Sequence, residues 1–151
     1  MLGNGMNIYK TAREAKGLTQ EAAAEKMGIS VTSIRAYETG QRIPPVEVVD
    51  LMVTAYDSQL LGIQHLRASA DMARSVLPEV REVPVSEAVL QLLNRIYTFA
   101  DSHRDRQLMA IAEDGRIDDG ERVLFDQIVN DDLASIIEAA MAVRYAISQP
   151  E

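Results

Sequence analysis

Apolar residues recur at three- and four-residue steps along much of the chain. Helix-stopping punctuation cuts this pattern into short pieces first and long ones later. The spacing predicts a helical segment from about Asn7 to Lys16, closed by Gly17 as the residue after the cap. Thr19 is placed to cap a second helix, QEAAAEKM, rich in good helix formers and ended by Gly28. Ser30 caps a third, VTSIRAYE, which stops near Thr39 and Gly40. QRIPP reads as a loop, and Pro45 suits the first turn of a fourth helix, VEVVDLMVTAY.

The next stretch is less regular. SQLLGIQHLRAS opens on a cap candidate, Ser58, and Gly62 interrupts it. ASADMARSVL is a short helical piece stopped by Pro78, and PEVREVPV reads as extended linker. From Ser86 a long helical pattern follows, with Val89, Leu92, Leu93, Ile96, Phe99, Ala100, His103, Gln107, Ala110 and Ile111 in step. A second joins Leu124, Ile128, Leu133, Ile136, Ile137, Ala140, Val143, Arg144 and Ile147. Each pattern allows a helix of about 28 residues, or about 42 Å. AEDGRIDDGE is the turn of the resulting antiparallel hairpin. The expected domains are 1–66, a short helix and linker over 67–85, and the hairpin over 86–151.

Composition narrows the classes. The chain has 151 residues, 47% hydrophobic and 25% charged, as in a globular domain or two small ones. With 5% aromatics and no Trp, the cores fall to Ala, Leu, Ile, Val and Met, which favours helices. Cysteine is absent, so disulfides, thiolate chemistry and cysteine-based zinc sites are excluded. No apolar run approaches the roughly 18 residues of a membrane span, and the N-terminus lacks a signal-peptide core. A cytoplasmic location without membrane association is expected.

The net charge of −8 is unevenly placed. Residues 1–56 hold six basic and six acidic residues, while residues 57–151 hold nine basic and seventeen acidic. All the excess acid thus lies outside the first four helices, and acidity elsewhere does not oppose an anionic partner there.

Candidate chemistry is sparse. With Gly115 as the sharp-turn glycine of a calcium loop, Asp114, Ile117 and Glu121 fit, but Ala110 and Ala112 fall where carboxylates are needed. A hairpin turn explains every residue instead: Gly115 ends one helix, Asp118 caps the next, and Glu121 closes a capping box. Lys10, Lys16 and Lys26 are the only lysines, so the C-terminal part holds no serine–lysine dyad. His65 and His103 stand far apart, and His103 is expected packed on the helix seam. No metal, cofactor or enzymatic activity is expected.

The run GLTQEAAAEKMGISVTSIRAYETGQRIP combines two capped helices, a turn glycine, a Glu-x-Gly stop and a trailing proline. It resembles the Cro/repressor-type helix-turn-helix family, also called XRE, over about residues 7–56. LPEV and IAEDGRIDDGE give the C-terminal part a weak similarity to helical tails of XRE-like regulators. The resemblance implies an all-α chain: a lambda-repressor-like domain of four to five helices, then the long hairpin.

It also implies double-stranded DNA as partner. Val31, Thr32 and Ala36 match base-facing positions of the recognition helix that Ser30 caps, and Ser33 and Arg35 flank them. Thr32 offers a hydrogen bond, Val31 and Ala36 apolar contact to a thymine methyl, and Arg35 reach to a base edge or a phosphate. Gln20 matches a backbone-contacting position, and Arg42, after the recognition helix, is a second phosphate candidate, with Asn7, Lys10 and Lys16 as weaker ones. Arg13 is expected to pair with Glu38 as scaffold. Ala12 and Ala23 stand where leucine is usual, which implies low stability for residues 1–58 alone unless Tyr9, Met27 or Tyr37 fills the space.

Two long helices cannot bury their apolar stripes alone, so a homodimer through residues 86–148 is expected. The expected function is a dimeric, sequence-specific transcriptional regulator, a repressor, on a pseudo-palindromic operator. The alternative is an antitoxin-like protein-interaction module whose acidic helical tail grips a basic partner.

Overall fold

The computed structural model describes residues 6–146. Ile147 and the outer ends of the first and last expected domains lie outside them. The described chain is all-α and divides into two compact units, Met1–Leu77 and Pro78–Glu151.

Local capping builds the first unit. Asn7 caps α1 (Ile8–Ala15), its side chain accepting from the Tyr9 and Lys10 amides, and Gly17 follows at φ 72°. Thr19 caps α2 (Gln20–Met27), which Gly28 closes in the left-handed region at φ 67°. Ser30 caps α3 (Val31–Glu38). Pro45 is the N-cap of α4 (Val46–Tyr56) rather than a first-turn residue, and Asp57 ends that helix at φ 54°. Ser58 caps α5 (Gln59–Ser69).

Gly62 does not interrupt α5. It faces α4, where an added Cβ would stand 3.7 Å from Val53 Cγ2. A helical glycine costs about 1 kcal/mol, and burial of Leu60, Leu61 and His65 on the same helix outweighs it.

One apolar cluster joins Tyr9, Ala23, Ala24, Met27, Ile34, Tyr37, Val49, Met52, Ala55, Tyr56 and Leu61. Ala23 is fully buried, and Tyr9, Met27 and Tyr37 all lie in the same cluster, supplying volume that the alanine lacks. Helix α5 contributes Leu61 to this core and packs on α1 and α4, so a domain cut at residue 58 loses part of its own interior. Helix α6 (Asp71–Val76) packs on α5, and Arg67 donates to the Leu77 carbonyl. The stretch 67–85 holds the short helix α6 and the residues that follow it. Its first half packs in unit one, while Val80 is buried in unit two.

The second unit is a hairpin with irregularities. Helix α7 (Val85–Asp101) stops short of the expected length. His103 takes φ 56° and starts a separate α8 (Arg104–Ala112). The break follows Asp101, Ser102 and His103, three residues that favour helix poorly. His103 is exposed there, not packed on a seam.

The turn is closed as a capping box, with the Asp118 amide donating to Glu121 Oε2 (3.2 Å) and the Glu121 amide to Asp118 Oδ1 (2.9 Å). The returning arm is continuous through α9 (Arg122–Gln127), a π-helical segment (Ile128–Leu133) and α10 (Ala134–Arg144). Helices α7 and α10 pack together, and Arg95 Nη1 donates to the Ser135 carbonyl at 2.9 Å. Arg104 Nε lies 2.9 Å from Asp132 Oδ2 and ties α8 to the π segment.

His65 is buried, and its Nδ1 shares a 2.9 Å hydrogen bond with the Tyr9 hydroxyl, joining α1 to α5. Burial lowers its pKa from the ordinary 6.5. The unfolded chain therefore takes up a proton that the folded chain refuses. This contribution to stability is complete above about pH 6.5 and is lost as pH falls through the folded-state value. Glu38, the shifted carboxylate, titrates in the unfolded chain near 4.5, so the two effects separate. Thermal unfolding of the full chain is expected to show a melting temperature that falls between about pH 7 and pH 5. His65→Gln should flatten that dependence, and an equal pH slope in the two proteins would refute it.

Candidate nucleic-acid interface

Helices α2 and α3 meet at a short turn set by backbone bonds. The Gly28 amide donates to the Glu25 carbonyl (3.3 Å) and the Ile29 amide to the Ala24 carbonyl (3.1 Å). Left-handed φ at Gly28 reverses the chain, and Ser30 restarts it. Ser30 Oγ accepts from the Ser33 amide at 3.1 Å.

Helix α3 buries Ile34, Tyr37 and Glu38. At about 100° per residue this leaves Thr32, Arg35, Ala36 and Thr39 on the outward face. Thr32, Arg35 and Thr39 are exposed and Ala36 is half-buried. Val31 differs from its expected placement, because it lies at the margin of this face and packs partly against the core cluster. Ser33 sits on the opposite margin, half-buried. Among the described residues, no hydrogen bond or ion pair engages the Arg35 side chain.

Behind α3 lies the charged scaffold. Arg13 donates twice to Glu38, from Nε to Oε1 (2.6 Å) and from Nη2 to Oε2 (3.0 Å). Its Nη1 donates to the Leu18 carbonyl at 2.6 Å. Gln20 Nε2 donates to Glu38 Oε2 at 2.8 Å, so the first residue of α2 is held from within. Burial alone would raise the Glu38 carboxyl, but the hydrogen bonds from Arg13 and Gln20 outweigh it and hold it below the usual carboxylate value. The bond to Glu38 likewise raises the Arg13 pKa against its own desolvation.

The other polar candidates divide. Arg42, in the loop after α3, folds back onto the helix, where its Nη2 reaches Ser33 Oγ (2.9 Å) and the Tyr37 hydroxyl (3.2 Å). Asn7 serves as a cap and also donates from Nδ2 to the Tyr37 carbonyl at 2.9 Å. Lys16 pairs with Asp57 at 3.2 Å, and Lys10 stands 3.9 Å from Glu14. Tyr37 as a partner of Arg42, and Thr39 as part of the outward face, are additions from the structure. Thr39 falls four residues after Arg35, a spacing that had the signal; the Tyr37 contact depends on how the loop returns.

A capped helix, a glycine turn and a second capped helix with a polar outward face define a helix-turn-helix protein. The comparisons agree. Residues 10–63 match the helix-turn-helix family model. The chain is 30% identical over 99 residues to the uncharacterized HTH-type transcriptional regulator YqaE of Bacillus subtilis (strain 168), covering 59% of this chain and 85% of that protein. No solved structure matches the chain. The chain belongs to the XRE-type helix-turn-helix family. Among the described residues, no helix is long and apolar enough to cross a membrane.

Removing one member of a buried ion pair strands the other, at a cost of about 3–5 kcal/mol. Arg13→Met or Glu38→Leu alone is expected to lower the urea midpoint of the first unit strongly. The double substitution should be milder than the sum of the two, and simple additivity in circular-dichroism melts would contradict this coupling.

Proposed function

We propose that the protein is a sequence-specific transcriptional regulator that binds double-stranded DNA as a homodimer and acts as a repressor in the cytoplasm. The observation that carries the reading is the outward face of α3. Among the described residues it carries no intramolecular ion pair, it is capped by Ser30, and it is equipped with Thr32, Arg35 and Ala36 at groove-facing positions. Thr32 offers a hydrogen bond to a base edge and Ala36 a surface for a thymine methyl. Arg35 reaches a base or a phosphate. Gln20, held by Glu38 at the start of α2, and Arg42 serve the sugar-phosphate backbone. Ser30 and Ser33 stand at the start of the helix, and Val31 contributes only the edge of its side chain.

Charge is consistent with this division of roles. The first unit holds eight basic and eight acidic residues, whereas Pro78–Glu151 holds seven basic against fifteen acidic. The second unit therefore suits assembly rather than DNA. Its buried apolar residues among those described are Val80, Ala88, Ile111, Ile128, Ala139 and Ala142, half of them alanine. Larger apolar side chains stay outside: Val89 is 36% exposed, Leu93 39% and Ile96 40%. With Val85 they form a stripe beside the face that α7 turns to α10, and burying that stripe against a second copy completes a bundle core. Two modules so joined would read half-sites about one helical turn apart, or a multiple of it. Occupying a promoter in this way represses without any further activity.

Selection of bound sites from random duplex DNA with the full chain is the direct test. A recurring pseudo-palindrome is expected, and Thr32→Ala or Arg35→Ala should shift the recovered sequence at defined positions. Recovery of no preferred sequence by the unaltered protein, or of an unchanged one by both variants, would sink the assignment. Separately, Leu93→Lys is expected to convert a dimer into a monomer in light scattering with α1–α5 still folded. A monomeric unaltered protein at micromolar concentration would exclude the dimer.

A further inference from the structure

The Arg42 guanidinium folds back onto α3. Its Nη2 donates to Ser33 Oγ at 2.9 Å and to the Tyr37 hydroxyl at 3.2 Å, and its Cζ lies 4.9 Å from the Tyr37 ring centroid. Its own backbone amide donates to the Ala36 carbonyl at 3.2 Å. Each supporting group is itself held. Ser33 Oγ accepts from Ser30 Oγ at 2.9 Å. Tyr37 is buried, and its carbonyl accepts from the Asn7 amide group. Arg42 nevertheless remains exposed, and these bonds engage only one of its terminal nitrogens.

Its position on the helix matters as much as its order. On the α3 wheel, Ser33 and Arg35 stand about 160° apart at 100° per residue. Arg42 thus lies along the Ser33–Tyr37 edge of the outward face, with Arg35 near the opposite edge. Two cations bracket Thr32 and Ala36. Arg42 bonds to its own helix, and among the described residues the Arg35 side chain makes no such bond.

We propose that Ser33 and Tyr37 are positioning residues, which hold Arg42 preorganised to grip a phosphate beside the groove. Ser33 then acts on DNA through Arg42 and not on a base. This rests on the DNA-binding reading above. A flexible arginine must lose side-chain freedom on contact, and here most of that ordering is complete in the free protein.

The test is a double-substitution cycle on the full chain, measured as affinity for a selected duplex at several salt concentrations. Ser33→Ala and Tyr37→Phe are each expected to weaken binding about 3- to 10-fold per half-site, the worth of one hydrogen bond in each subunit, with the same preferred sequence and the same salt slope. Arg42→Ala should weaken binding to all sequences and make the log–log salt slope shallower by about 1.8 for the dimer, about 0.9 for each Arg42. In the Arg42→Ala background, Ser33→Ala and Tyr37→Phe should have no further effect. Thermal melts of each variant separate these losses from unfolding.

Equal effects of Ser33→Ala with and without Arg42, or an altered preferred sequence in Ser33→Ala, would overturn the positioning role while leaving DNA binding intact. Failure of the unaltered protein to retain any duplex would instead overturn the DNA reading, and this inference with it. Guanidinium nitrogen relaxation in the free protein gives an arm without DNA. Arg42 should be ordered in the unaltered chain and mobile in Tyr37→Phe/Ser33→Ala, and a mobile Arg42 in the unaltered chain would overturn the proposal directly.

Discussion

Arg13 and Glu38 are both charged and both buried, and the first unit is arranged around that constraint. A charge removed from water is tolerable only when every donor and acceptor around it is matched. Arg13 meets this with two bonds to Glu38 and one to the Leu18 carbonyl, and Glu38 gains a third donor from Gln20. Four parts of the chain therefore converge on one carboxylate and one guanidinium: α1, the turn before α2, the first residue of α2 and the end of α3. Because such bonds weaken steeply with distance and angle, the pair sets the position of α3 more narrowly than apolar contact alone. The exposed face of α3, with Thr32 and Arg35, is held in place by that pair.

The two units solve burial in different ways. The first fills its interior with Tyr9, Tyr37, Tyr56, Met27, Met52, Ile34 and Leu61, side chains large enough to close a small core. Tyr56 is buried so far that its hydroxyl pKa is pushed up to about 12. The second unit packs α7 on α10 through small residues, including Ala88, Ala139 and Ala142. Close helix approach of this kind leaves larger apolar groups on the outside. That is economical for a module that gains its remaining core from association, and costly for one that stands alone.

Much of the local structure was legible in the chain, because capping is a short-range effect. Thr19, Ser30 and Ser58 each stand one residue before a helix and accept from its free amides, as does Asn7, which the sequence pattern places inside the first helix. Gly17, Gly28, Gly40 and Gly115 each take positive φ at or near a helix end. The capping box of Asp118 and Glu121 follows from three residues of spacing. The breaks were harder to see. Gly62 looks like a stop but lies within a helix, since packing on α4 outweighs its propensity. His103 looks like a seam residue but sits at a break between two helices, since a periodic pattern says nothing about whether the helix is interrupted between two of its repeats.

By itself the sequence determined the helical class, the helix-turn-helix punctuation, the neutral charge of the first module and the concentration of acid beyond it. These depend on residue identity and on neighbours within about one helical turn, a range over which sequence order and spatial order coincide. Only the tertiary structure decided that Arg42 folds back onto Ser33 and Tyr37, that Gln20 braces Glu38, that Val31 spends part of its side chain on the core, and that His65 bonds Tyr9 across 56 positions. Each of these joins residues on different elements, or on a helix and the loop that returns to it. Such contacts are set by how the elements pack, and packing is a property of the whole core rather than of any segment within it.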